Sequence, residues 1–364
     1  MNLRLHKYFS SAAVALLLGS MLLTSAGGNN QKAELNLLCW TGYEEPAMIE
    51  PFEKKFNVKV NYKTFAGADQ MFALVTQSKA TYDVAVVDPE YIQKLHAAGR
   101  LTPLNASDYS FDAYFEPLKH FPLCWIDGKL QAVLVRFGAN GLVYNTQHLS
   151  PKDVKSYRIL WSPKVRGRVG IWDWYLPSMG VISKAAGNKD AYNLSDERFA
   201  ALTKRLLGLR PQVSAIHPRP PEVINAMGNA EDWIVPGGGE WVAALLQQQG
   251  KPADWTVPEE GGIMWIETLA IINDAPHPDI AKKYIQWMQT PEAQAALTQR
   301  ASYNSNVPNR LAYDLLTPKQ KDALKIHNEQ EADELINKLS VRQLPTRQSE
   351  QVWQDAWQQF KSAQ

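Results

Sequence analysis

Apolar positions along the chain follow two rhythms in alternation. Leu35-Asn36-Leu37-Leu38-Cys39-Trp40 is a short apolar run that predicts a buried strand. Glu44–Phe56 sets Met48, Ile49, Phe52 and Phe56 at three- and four-residue spacings, the period of an amphipathic helix. Asn57–Tyr62 alternates as a second strand, Ala68–Ser78 is again helical, and Tyr82–Asp88 is nearly all apolar, the type of strand buried on both faces of a parallel sheet. Tyr91–Ala98 comes next as a helix closed by Gly99. This order predicts a doubly wound α/β lobe.

A second lobe is expected after Asn140. Val165–Trp172 reads as a strand, and Asp196–Leu207 and Pro221–Met227 as helices. Ala230–Val235 reads as a strand ended by Pro236 and three glycines, and Trp241–Gln249 as a helix stopped by Gly250. Ile263–Ile272 is a long strand, Ile280–Met288 and Glu292–Arg300 are helices, and the tail from Pro318 is expected to be mostly helical. The chain is therefore expected to be α/β throughout. At 364 residues it has room for two domains with real cores.

The amino terminus obeys a different rule. Arg4 and Lys7 precede the apolar run Ser11–Leu23, and Thr24-Ser25-Ala26 supplies small residues at a cleavage position. That is a secretory leader over residues 1–26, cleaved near Ala26. The run is short for a bilayer span, and no cysteine stands at the cleavage point for a lipid anchor. The mature chain is expected to be exported, periplasmic in a bacterium. Cys39 and Cys124 are the only cysteines, enough for one disulfide or two buried thiols but not for a disulfide framework.

Charge and motif narrow the chemistry. Lys+Arg is 38 and Asp+Glu 37, an even balance that excludes nucleic-acid binding by bulk charge. There is no nucleophile elbow, no phosphate-cradling glycine loop and no His-Glu-x-x-His, so no cofactor or metal is expected. What stands out is 12 Trp beside 14 Tyr. Many of these rings fall with carboxylates at predicted strand ends, where open α/β sheets bind ligands. Trp40 with Tyr43, Asp88 with Glu90, Asp173 with Trp174, Glu240 with Trp241, and Trp265 with Glu267 are such groupings. Rings and carboxylates together suit an organic ammonium, by cation–π contact and charged hydrogen bonds.

These segments carry a resemblance. Leu38–Tyr43, Tyr82–Val84, Gly138–Asn145, Leu160–Val169, Val257–Ile271, Tyr284–Met288 with Thr290–Glu292, and Ser302–Asn309 resemble, in this order, bacterial periplasmic solute-binding proteins of the spermidine/putrescine type that serve ABC importers. The resemblance spans nearly the whole mature chain, and its sharpest piece is Val257–Ile271, which carries Pro258-Glu259-Glu260-Gly261-Gly262-Ile263-Met264-Trp265. It implies a two-lobed type II periplasmic-binding-protein fold, each lobe a mixed sheet flanked by helices, hinged by crossing strands. Lobe 1 would be 27–137 plus 266–308, and lobe 2 would be 138–265 plus 309–364, with the C-terminal helices on lobe 2. By position it implies ligand contacts at Trp40, Tyr43, Trp265, Glu267 (where the family usually has Asp), Tyr303 and Gln343. Asp173-Trp174 stands where the family places an acid cluster, Asp88 and Glu90 add charge from the other side, and Glu240-Trp241 aligns with a lobe-two Trp. The implied partners are a small organic amine and a membrane permease, with the protein working as a monomer.

Arg136 is a departure, since a hinge strand usually carries an apolar residue there. With Gly237–Gly239 it leaves open a zwitterionic ligand whose acid group meets Arg136. An exported enzyme of unknown reaction is the second alternative.

Overall fold

Ten strands share one sheet in the computed structural model, which describes residues 32–300 and 303–363; the side chains of Arg300 and Tyr303 are not among those described. The expected leader lies outside the described residues. In chain order the strands are β1 (Ala33–Trp40), β2 (Val58–Phe65), β3 (Val84–Val87), β4 (Val133–Asn145), β5 (Val169–Trp172), β6 (Val213–His217), β7 (Ile234–Gly238), β8 (Ala253–Thr256), β9 (Gly262–Ile271) and β10 (Leu339–Val341). Across the sheet the order is β2-β1-β3-β9-β4-β7-β5-β6, with β8 also on β4 and β10 also on β9.

This order has a physical logic. β1 runs parallel to β2 and β3, and β5 runs parallel to β6 and β7. Each trio is a βα module of the kind that parallel strands require. Between them run β4 and β9, antiparallel to each other from Val133↔Leu269 to Asn140↔Ile263. The far half of β9 pairs with β3, and the far half of β4 pairs with β7 and β8. The two long strands thus connect one module to the other. Both are buried along their whole length.

The cores show the same division. One apolar cluster joins β1, β3 and the near half of β4 to the helices α1 (Pro46–Phe56), α2 (Ala68–Gln77) and α3 (Pro89–Ala97). A second gathers Leu142–Leu209 with α4 (Tyr175–Ala185) and α5 (Asp196–Leu207). A smaller third lies between α6 (Pro220–Gly228), α7 (Glu240–Gln248) and β7, and includes Trp172, Trp241, Trp255 and Trp265. Core membership changes between Phe137 and Ala139 on β4, and within Ile263–Ile266 on β9. The tail divides as well. Val307–Ile336 packs into the first cluster together with α8 (Pro278–Met288) and α9 (Pro291–Thr298), whereas the last helix, Glu350–Ser362, buries Trp353, Trp357 and Phe360 in the second. The C-terminal helices therefore do not all pack where the resemblance put them.

Four elements escape the hydrophobic pattern. In α4 every residue from Leu176 to Ala185 is buried, so the helix has no polar face to mark its period. β6, β8 and β10 are strands of three to five residues, and β10 lies within a tail expected to be mostly helical. β7 also begins later than its predicted span and runs on through Pro236, which pairs with Leu142 where the register shifts; proline is tolerated at such an irregularity. β5 is shorter than expected because Pro163–Val165 forms a 3₁₀ turn and Gly167, with φ of 66°, redirects the chain. Cys39 and Cys124 are both buried free thiols.

Candidate functional site

Residues just past the strand ends make the site. β3 stops at Val87, and the chain turns at Asp88 into Pro89, a favoured first helical residue. Asp88 holds the N-cap position of α3 yet makes no cap hydrogen bond. Its carboxylate is directed instead to Trp40 at the end of β1, whose Nε1 donates to Oδ1 at 3.2 Å, and to Arg342, whose Nη2 donates to Oδ2 at 2.7 Å. Glu90, in the first turn of α3, accepts from Arg342 Nε at 2.7 Å. Trp174, at the N-cap of α4 after β5, lays its ring 4.6 Å from the Arg342 guanidinium carbon. Burial raises the Asp88 carboxyl to about 7, with Arg342 pulling it down and Glu90 and Glu267 pushing it up.

A second centre lies on the crossing strands. Glu267 on β9 pairs in register with Arg136 on β4, and Trp265 pairs with Gly138, so all four share one face. Glu267 Oε2 accepts from the Tyr43 hydroxyl at 2.8 Å and lies 3.5 Å from Arg136 Nη1. Arg136 is fully buried, donates from Nε to Ser305 Oγ, and lies 5.8 Å from the Tyr43 ring centre and 5.7 Å from that of Trp265. Burial pushes the Tyr43 hydroxyl well above its usual value, and Glu267 adds to this.

The third centre is Glu240, the first residue of α7 after the three glycines. It is fully buried. Oε2 accepts from the Ala139 backbone N–H at 3.1 Å, and Oε1 has no hydrogen-bond partner among the described residues. Burial raises this carboxyl to about 8, against the opposing pull of hydrogen bonds and Arg136. The space it occupies exists because of two glycines. A Cβ on Gly138 would stand 1.7 Å from Glu240 Oε1 and 2.4 Å from the Trp265 ring, and one on Gly239 would stand 1.8 Å from Ala139 O. G138A is therefore expected to lower the unfolding free energy by ~2 kcal/mol, the scale of overpacking. A urea midpoint unchanged from the wild type would show that the ring and carboxylate can move aside. Beside Glu240, Trp172 and Trp241 face each other with ring centres 5.6 Å apart.

The structure thus brings Trp40, Tyr43, Asp88, Glu90, Trp174, Glu240, Trp265 and Glu267 into linked centres, with Trp241 at their edge. Asp173 turns the other way. Its oxygens take Trp357 Nε1 at 2.9 Å and Lys361 Nζ at 3.0 Å, on the last helix. Gln343 lines a groove of about 370 Å³ with Phe121, Lys189 and Ser340, apart from the acids. The backbone of Tyr303 pairs with Arg300, and its side chain lies outside what is described. Arg342, beside Gln343, is the residue sequence reasoning missed. It continues β10 by a backbone bond from its N–H to Met264 O, and reading the tail as helix hid that strand.

Carboxylates, indoles and a phenol converging from both modules can neutralise and enclose an organic cation. Among the described residues no cluster of His, Cys, Asp and Glu suits a metal ion.

The family model described as "Bacterial extracellular solute-binding protein" matches residues 47–326. The spermidine/putrescine-binding periplasmic protein of Escherichia coli is 28% identical over 320 residues, 84% of this chain and 85% of its own length. A putrescine-binding periplasmic protein of the same organism is 22% identical over 326 residues, covering 83% and 85%. Among solved structures, a spermidine/putrescine ABC transporter substrate-binding protein from Streptococcus pneumoniae superposes with a TM-score of 0.77 at 20% identity, covering 91% of this chain and 99% of its own. At that identity the likeness shows the fold alone.

Proposed function

The chain belongs to the bacterial extracellular solute-binding protein family, and from that premise we propose that it is the substrate-binding component of an ABC importer and captures a polyamine or related small organic amine. Its mixed sheet and flanking helices are those of type II periplasmic binding proteins. The observation that carries the ligand class is the convergence of four buried carboxylates, Asp88, Glu90, Glu240 and Glu267, with indoles from both modules. Buried acids in that number call for cations.

The mechanism is a clamp. An amine entering between the modules meets Asp88 and Glu90 from one side and Glu240 from the other, while Trp40, Trp174 and Trp265 supply ring faces to its methylenes. Closure is favoured because the ligand contacts both modules at once, a differential affinity for one state of a hinge. The bend would fall on β4 and β9, the two strands that run through the sheet from one trio to the other. At the rim Lys94 on α3 reaches Glu350 on the last helix at 3.1 Å, and Tyr175 donates to the same carboxylate at 2.9 Å. That contact favours the closed form. The leader sends the chain to the periplasm, and the closed, loaded form docks on a membrane permease. Arg136 supports this reading over the zwitterionic one, since Glu267 and Ser305 already engage it.

A thermal-shift panel tests the class. Putrescine, spermidine and agmatine are set against γ-aminobutyrate and 2-aminoethylphosphonate. A ligand at about 1,000 times its Kd stabilises the folded state by about 4 kcal/mol, so at least one of the first three is expected to raise the Tm clearly. A shift with the two zwitterions alone, or with none of the five, overturns the amine assignment.

A further inference from the structure

Arg342 occupies the kind of place a ligand ammonium would take. Its guanidinium is buried, with two of its nitrogens each given a separate carboxylate at 2.7 Å. An indole from the opposite module covers its face. Trp174 is 39% exposed, so this ring closes the guanidinium off from one side only. We propose that Arg342 is a built-in cation that fills one ammonium subsite, and that it thereby restricts the ligand to amines carrying at most two positive charges. This rests on the amine reading and deepens it.

The charge balance points to two. Among the described residues, four buried acids, Asp88, Glu90, Glu240 and Glu267, face two buried guanidiniums, Arg136 and Arg342. A guanidinium does not give up its proton in a protein. With every acid ionised, the cluster is short of two positive charges. A linear diamine supplies them, whereas a triamine brings one charge beyond what the buried acids can balance, and an unbalanced buried charge is strongly disfavoured. Among the described residues two buried carboxylate oxygens of the cluster accept nothing, Glu90 Oε2 and Glu240 Oε1. They belong to opposite sides of the crossing strands, one on α3 and one on α7. An ammonium at each would use both charges of a diamine. Without Arg342, the Asp88–Glu90 pair would be open to a third.

Isothermal titration of putrescine and spermidine into wild type, R342Q and the double variant E90Q/R342Q tests this. Wild type is expected to bind the diamine at least tenfold more tightly than the triamine. R342Q removes one positive charge and is expected to shift that ratio at least tenfold toward the triamine. E90Q/R342Q restores the original balance and is expected to return the ratio toward the diamine. Circular dichroism melts check that each variant folds; if R342Q alone does not, the wild-type ratio and the double variant still decide. A wild type that prefers spermidine, or a ratio that R342Q leaves in place, overturns the role of Arg342 while the amine reading stands. If neither amine binds any folded form, the amine reading fails and this inference goes with it.

Discussion

Replacing Glu267 with glutamine is expected to lower the unfolding free energy by ~3 kcal/mol, because breaking a buried ion pair leaves the partner charge behind. Arg136 is 0% exposed and cannot rotate to water. Ser305 would still accept from it, which places the expected cost at the lower end of the usual range. The Tyr43 hydroxyl keeps an acceptor in the amide oxygen, so the loss comes from charge rather than from the hydrogen bond. The double variant R136M/E267Q removes both charges, and it is expected to recover most of the lost stability. Urea unfolding of wild type, the two single variants and the double variant gives the coupling between the two sites. A single E267Q variant within about 1 kcal/mol of wild type would mean that Arg136 is already satisfied elsewhere. Binding is affected separately. E267Q removes one of the acid charges that balance a bound diamine, so amine affinity is expected to fall at least tenfold. Unchanged affinity in folded E267Q removes Glu267 from the charges that hold the ligand.

Amine affinity is expected to rise between pH 6 and pH 8, by about 10-fold or more, as the ligand displaces a proton. Glu240 is held near 8 by burial, so it is mostly protonated at pH 7 before ligand arrives. An ammonium placed at Oε1 favours the ionised form. Binding at pH 7 then releases about one proton, and linkage makes the affinity climb with pH until the free carboxyl ionises by itself. Asp88, raised to about 7 by burial, adds to the same trend at lower pH. Calorimetry in phosphate and in Tris at pH 7 reads the released proton as a difference in apparent enthalpy. Equal affinities at pH 6 and pH 8 would place the ligand away from both carboxyls. The free protein takes the opposite course. Because the folded pKa of Glu240 lies above its ordinary value of 4.5, the folded state retains a proton that the unfolded chain has lost. This contribution to stability is complete below about pH 4.5 and disappears as the pH rises toward 8. E240Q is expected to flatten both slopes, leaving only the part that Asp88 contributes.

Much of this site can be read from local sequence because it hangs on strand ends. Trp40, Asp88 and Glu240 each stand at or just beyond the end of a strand, and Trp265 and Glu267 share a face by simple alternation. What could not be read is side-chain direction next to an element with no signature. β10 has three residues and no amphipathic contrast, so Arg342 and Gln343 could not be assigned to opposite faces, and the resemblance pointed to Gln343. Asp173 and Trp174 present the same difficulty. α4 is buried along nearly its whole length and gives no periodic cue, so its first turn could not be placed. The ion pairs themselves join residues 131 to 254 positions apart, beyond any local pattern.

The last helix bears on how the chain is made. Trp353, Trp357 and Phe360 complete a core whose other residues begin at Leu142. A ribosome that has yet to finish this helix therefore holds a second core still missing Trp353, Ala356, Trp357 and Phe360. Loops this long close late, and their closure limits folding speed. The second core is therefore expected to reach its full burial only once synthesis ends, while the first, which holds no residue of this helix, is not so delayed.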